Sequence, residues 1–578
     1  MVLKEDKKYN KSGKQNSHSR SNTENISHGI VSFYLFLMLG VFPLYFKKQY
    51  EGIGSAKYDF FWTTSLLFLG GMAIWFIVES VINLYANIKK EQLFHKIHTG
   101  KISLSFLDVA VLFYGISVIF SFLLSNHKEF ALKGANGWNM GLYAQLIFVG
   151  LYFVISRKGK LSKLILSIHM ISSGLVFLLG ILHRFEIDPL GMYVGLNLQQ
   201  KTEFLSTLGQ ATWYSSYVCT VFGLGLTVFY LSKNWLVKVL SGIYTILSFG
   251  TLVTQNSDSA FMALLGVCLI LGYFSLTDIY RWTKFWQILV FMWGTFLGIG
   301  MLQKKFAERA IPLDSLSIFF SQSIIIWLLF GVSILLYIYY GTLYLQQKKQ
   351  GSVRKKEKRG TRGDIIVLQR SKKVYQRLLI MLAAGIVGTI LFIYLNTKGY
   401  LLDWFGFQTK HSYLYFDYLW GNGRGSSWMI AWQEFWKLPT LNKLFGVGPD
   451  CFFAYLYSIP ETKEYLHRIW GGLTLTNAHN EYLNSFICYG IVGTTAWLAV
   501  IMGGIRYFYR KAKEQPFYIA FALSLGAYGC HNIFCYQQVC CTPFLFILLG
   551  LGECLTKSPH FFTIYPKLKQ DRRRNHGR

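Results

Sequence analysis

Acidic side chains are scarce in this chain: 28 Asp and Glu stand against 58 Lys and Arg, and all four types together make up only 15% of the 578 residues. The carboxylates of the longest polar stretch, Asp403, Asp417 and Asp450 among them, are scattered rather than set at metal-ligand spacing, so no metal is expected. No acidic cluster suggests nucleotide-sugar chemistry. A phosphate-binding glycine loop, a dinucleotide fingerprint and a nucleophile elbow are all missing, and no cofactor is expected. The nine cysteines lack the paired C-x-x-C spacing of a zinc site. Cys530, Cys535, Cys540 and Cys541 read as small buried apolar residues, with a disulfide among the last three left open.

What is abundant fixes the compartment. Hydrophobic residues reach 52% and aromatics 17%, too apolar for one soluble core, so the chain reads as an all-α, polytopic integral membrane helical bundle. A formal charge of +30 raises the question of nucleic acid, but the Lys and Arg residues lie between the apolar runs. They mark loops beside membrane lipid, and no nucleic acid is expected. About fourteen helices of the usual ~20 residues are predicted, at 29–46, 60–86, 104–125, 138–156, 164–182, 212–231, 235–254, 260–276, 285–302, 322–345, 378–396, 484–503, 516–533 and 541–554. An even number places both termini on one side. With the tails in the cytoplasm, about 41 of the 58 basic residues fall inside and about 17 outside, as the positive-inside rule requires.

The resulting plan is a basic cytoplasmic tail (1–28), an N-terminal membrane bundle (29–396) with a basic cytoplasmic loop (346–377), an extracytoplasmic subdomain (397–483), C-terminal membrane helices (484–554) and a second basic tail (555–578). Within the spans, Glu79, Asp108 and His169 read as neutral or hydrogen-bonded packing groups. The loop between the eleventh and twelfth helices is far longer than the others, which points to function. It reads as a small helical unit resting on the membrane, with a helix over 425–437 that sets Trp428 and Trp432 four residues apart. Its end, His479-Asn480, re-enters the membrane. A neutral imidazole there can take a proton from a hydroxyl; the same spacing also suits a helix start with both residues as caps.

Several stretches, in order, resemble a known family. Gly423-Arg424, Trp428 and Trp432, then Phe445-Gly446-Val447-Gly448-Pro449-Asp450, then His479-Asn480 with nine residues to Gly490-x-x-Gly493-Thr494-Thr495, look like the C-terminal region of the O-antigen ligase and polymerase superfamily, which also includes bacterial protein O-oligosaccharyltransferases. Ser206-Thr207-Leu208-Gly209-Gln210 with Tyr217 resembles an outer-loop segment of that family, and the likeness spans 203–496. Two departures stand out: Ser257-Asp258-Ser259 puts an acid where an arginine is usual, and Gln210-Ala211 stands where Asn-Pro is usual.

The resemblance implies a metal-independent membrane glycosyltransferase of cell-envelope polysaccharide biosynthesis. It would move a glycan from a polyprenyl-pyrophosphate carrier, such as undecaprenyl pyrophosphate, to a lipid, protein or wall-polymer acceptor on the outer face. His479 would be the base and Arg424 would neutralise the leaving pyrophosphate, which a guanidinium does bidentately. Asn480, Arg184, Arg468, Gln210, Trp428 and His531 are the candidate substrate-binding residues. A polymerase of the same superfamily is the nearest alternative. A lipid-linked oligosaccharide flippase is the rival from another class; the absence of an internal repeat and of cations within the spans counts against it.

Overall fold

The computed structural model describes residues 23–88, 104–353, 362–411 and 413–557. Most of the two basic tails and the middle of the basic loop fall outside these residues. The described chain is helical, and its only strands are the two-residue pair Phe204–Leu205 and Gly209–Gln210, antiparallel to each other. Each of the fourteen predicted spans coincides with a helix. Among the described residues, ten helices are long and apolar enough to cross a membrane. The remaining four, Leu142–Lys158, Ser259–Ser275, Ile519–His531 and Thr542–Lys557, have 17, 17, 13 and 16 residues and fall short of that length.

The helices sort by what they touch. Ala211–Leu231 is the hub, with 94% of its apolar window buried, and it packs against Trp235–Thr254 and Ile519–His531. Ile519–His531 and Thr542–Lys557 are enclosed along almost their whole lengths, so they need not match the thickness of a bilayer. At the periphery, Ile366–Lys398 has no buried residue in its window and Ile53–Tyr85 only 17%, so their apolar side chains face outward. Two helices run into the expected 346–377 loop: Ile324–Val353 and Arg362–Lys398. Lys, Arg and Gln are good helix formers, and a backbone already nucleated by an apolar segment continues through them.

Of the ionisable groups expected to be neutral or hydrogen-bonded packing groups, the two carboxylates take the hydrogen-bonded form, each on a cation. Glu79 receives both oxygens' hydrogen bonds from Lys158 Nζ, at 2.9 and 2.8 Å. Asp108 is wholly buried, closes a capping box with Ser105 and takes Arg157 Nη1 at 2.9 Å. Lone carboxylates in an apolar setting are costly, and each of these is compensated by a cation from the same short basic turn, 157–163. His169 is buried and reaches only the Val221 carbonyl, at 3.4 Å.

The helix that follows His479 is broken on purpose. Within Glu481–Leu498, Gly490 has φ 65° and ψ −168°, a region open to glycine almost alone. The break frees the carbonyls of Ile487 and Cys488, which accept from Val447 N at 2.9 Å and Gly448 N at 3.2 Å. A Cβ on Gly490 would sit 2.4 Å from the Leu444 carbonyl carbon. The 446–448 turn and the kink are therefore one interlocked joint, which explains the two sequence stretches together. Gly490→Ala is expected to lower stability by about 2–3 kcal/mol, read as a lower unfolding temperature of the purified protein in detergent; an unchanged temperature would show that the joint carries little of the fold. Thr494 and Thr495 turn back onto the carbonyls of Gly490 and Ile491, at 2.7 Å each, and serve the kink.

Candidate functional site

The segment before that helix holds His479 in an unusual posture. Its φ is 48°, left-handed for a residue with a Cβ, and three side chains fix it there. Asn477 Oδ1 accepts from His479 N at 3.0 Å. Asn484 Oδ1 accepts from Ala478 N at 3.2 Å, and Ser427 Oγ donates to the Ala478 carbonyl at 3.1 Å. Strain that persists because its surroundings over-determine it is a mark of functional sites. The ring packs edge-on against Tyr536, centroids 5.4 Å apart. Tyr536 in turn stands edge-on to Trp138.

Arg424 comes from the helix Trp420–Lys437, immediately after a kink at Gly421–Gly423 where φ is positive at three successive residues. Its Nη1 donates to the Gly421 carbonyl at 3.0 Å, and its guanidinium carbon lies 5.8 Å from the centre of the Phe534 ring. Its Nε is buried with no hydrogen-bond partner. Among the described residues no carboxylate approaches it within ion-pair distance, so a half-buried cation is left with a buried, open donor. That is the electrostatic signature of an anion site.

Arg424 and His479 line one cavity of about 550 Å³, together with Gln210, Asn256, Ser257, Asp258, Asp314, Tyr413 and Trp470. Burial, and secondarily the Arg424 charge, lower the His479 pKa to about 4, so the imidazole is neutral at ordinary pH. Arg424 itself is lowered by burial. Asp258 is raised, first by burial and then by Asp314, with Arg424 opposing. The lining of the cavity thus offers a cation and a neutral base together with carboxylates and hydroxyls.

The remaining candidates are distributed differently. Gln210 lies on the cavity at the end of the small hairpin. Asn480 is 8% exposed and its amide oxygen caps the helix, accepting from Tyr482 N and Leu483 N at 3.0 Å each; the capping alternative describes it. Arg184 is completely buried and its guanidinium is spent on the backbone carbonyls of Thr254, Lys201 and Thr202, which stitches the short helix Leu198–Glu203 to the end of a neighbouring one. Arg468 is exposed on Pro460–Trp470 and does not line the cavity. Trp428 stands between Trp420 and Phe534, at 5.2 and 5.8 Å, supporting the ring beneath Arg424. Trp432 is 52% exposed and pairs with Trp436 instead, so the two tryptophans do not share one pocket. His531 is buried behind the cavity, on Ser215 and Ser259. Asp450, buried, holds the 135–140 loop by accepting from Ala135 N and Met140 N, and burial pushes its pKa up to about 7.

Sequence reasoning missed Trp470, Tyr413, Glu203 and Asp314 on the cavity wall. They come from three separate loops, and no local spacing announces them. All nine cysteines are free thiols.

A family model described as O-antigen ligase matches residues 310–498. The match contains Arg424, His479 and the kinked helix, and it bears out the superfamily resemblance read from the sequence. Gln210, Ser257 and Asp258 lie before it, and His531 after it. No curated protein matches the chain.

Proposed function

On the premise that 310–498 is O-antigen ligase-like, we propose that the protein transfers a glycan from a polyprenyl-pyrophosphate carrier to a hydroxyl-bearing acceptor on the outer face of the membrane. What supports this above all is that Arg424 and His479 line a single cavity. His479, neutral, takes the acceptor's hydroxyl proton as that oxygen attacks the anomeric carbon. The bond from that carbon to the pyrophosphate breaks, its electron pair leaves with the pyrophosphate, and Arg424 neutralises the growing charge. Attack from behind the departing group inverts the anomeric centre. No step requires a metal ion. The positive-inside reading places both termini in the cytoplasm and this cavity outside.

A lipid, protein or wall-polymer acceptor makes the protein a ligase, and a second lipid-linked repeat makes it a polymerase. Purified protein incubated with a lipid-linked glycan and each acceptor class, followed by mass analysis, is expected to yield a conjugate or a lengthened chain with release of polyprenyl pyrophosphate. In cells lacking the protein, lipid-linked glycan should accumulate on the outer leaflet. Accumulation on the inner leaflet, with no transfer by the purified protein, would assign it to transport instead.

A further inference from the structure

Behind the cavity wall runs a chain of hydrogen bonds that the proposed transfer does not use. The Glu481 carboxylate accepts from Asn532 Nδ2 and, at 3.3 Å, from the Tyr528 hydroxyl. Since the Asn532 amide nitrogen is committed to that carboxylate, its oxygen must accept, and its partner is His531 Nδ1 at 3.0 Å. That assigns the proton of His531 to Nδ1 and leaves Nε2 with its lone pair. Ser215 Oγ and Ser259 Oγ both approach Nε2, at 2.8 and 2.9 Å. Ser215 has two other acceptors, the Thr212 carbonyl at 3.1 Å and, more distantly, Ser257 Oγ at 3.4 Å. Ser259 has no other than Ser257, 2.7 Å away. With the Ser259 proton on Nε2, the Ser257 hydroxyl donates to Ser259, and the Ser257 oxygen, approached by Ser215 Oγ only at 3.4 Å, keeps a lone pair with which to accept.

Ser257 lines the cavity next to Asp258, and Asp314, which Asn256 ties to the same turn, and Glu203 line it as well. Asp258 makes no cap to the helix it precedes. A wall of acceptors repels a diphosphate and suits a ligand rich in O–H donors. We infer that Ser257 receives a hydroxyl of the carrier-linked sugar, and that His531, fixed by Glu481 through Asn532, is the positioning residue that keeps the Ser257 oxygen turned to accept it. This rests on the transfer reading and divides its cavity: pyrophosphate at Arg424, sugar at Ser257. It also gives the acid at position 258 a place, beside the sugar rather than the phosphates.

Two probes separate the halves: undecaprenyl pyrophosphate, and undecaprenyl pyrophosphate bearing N-acetylglucosamine, titrated against the full-length protein in detergent. The unaltered protein should bind the sugar-bearing probe about five- to tenfold more tightly, the scale of one net hydrogen bond. Ser257→Ala should abolish that preference while leaving the bare carrier's affinity in place, and His531→Ala should do the same. His531→Gln, which can still accept from Ser259, should restore it. If His531 acts through Ser257, the double variant is no worse than either single one. Should His531→Ala not fold, Ser259→Ala, one link nearer the cavity, takes its place in the cycle. Equal affinities of the unaltered protein for the two probes, a preference that survives Ser257→Ala, or additive losses would each overturn the inference. Loss of affinity for both probes only in Arg424→Ala, with Ser257→Ala unchanged, would retain the transfer reading and discard this one; an unaltered affinity in Arg424→Ala would discard the transfer reading itself.

Discussion

Replacing His479 with alanine is expected to slow glycan transfer by about 10²–10⁴-fold, the usual contribution of a positioned general base. The geometry makes this a test of chemistry rather than folding. The backbone at 479 is left-handed, with φ 48°, and asparagine tolerates that region better than most residues. His479→Asn should therefore keep the fold and the cavity while losing the base, and it is the control against which the alanine variant is read. The pH dependence carries a sign. Burial and then Arg424 bring the imidazole to about 4, so the competent neutral form dominates above that value, and the rate should fall as pH drops through about 4 and stay level toward neutrality. Stability moves the same way: between 6.5 and 4 the unfolded chain binds the proton that the folded one refuses, so acidification through that window disfavours the fold. Initial rates measured with a lipid-linked glycan across pH 3.5 to 8 check the first statement, and unfolding temperatures in detergent over the same range check the second. A His479→Ala protein that transfers within about threefold of the original rate would remove His479 from the mechanism, since a general base is worth at least two orders of magnitude.

The helices were legible in the sequence because apolar runs mark them: all fourteen runs are helical, and among the described residues ten helices are long and apolar enough to cross a membrane. Where a helix is enclosed by protein, length stops being informative: Ile519–His531 crosses the core in 13 residues, shorter than any lipid-facing span. Arg424 and His479 were legible because each sits beside a local signal, a glycine turn and a polar re-entry before an apolar helix. Arg184 and Arg468 carried the same charge without such a setting. One turns inward to hold carbonyls, and the other stays in solvent. Of the rest of the lining the sequence singled out only the Gln210-Ala211 and Ser257-Asp258-Ser259 departures, and for a plainer reason. Ser257, Asp258, Asp314 and Glu203 are assembled only when the 198–212 hairpin, the 255–259 turn and the 306–315 loop meet, and Arg184 and Asn256 hold them together through backbone atoms. Nothing within any one segment encodes that meeting.

Arg424→Ala is expected to cost about 10²–10³-fold in transfer, the range seen when a pre-aimed stabiliser of developing charge is removed. Its guanidinium rests over Phe534 with Nε buried and unpaired, so it is already desolvated before substrate arrives, and a diphosphate supplies the missing acceptor. Lysine would restore the charge but neither the fork nor the planar packing on the ring, so Arg424→Lys should recover only part of the loss. The same substitution has a second consequence that distinguishes neutralisation of the leaving group from mere support of the loop. Arg424 is one of the two causes holding the His479 pKa down; without it the imidazole gains protons more readily, and the acid limb of the rate profile must move upward from about 4. Arg424→Ala and Arg424→Lys therefore differ in the pH at which the rate falls as well as in the rate itself, with lysine nearer the original profile. If the alanine variant kept both its rate and its acid limb, the cation would be neither near the imidazole nor on the path of the departing phosphate, and the cavity would have to be read without it.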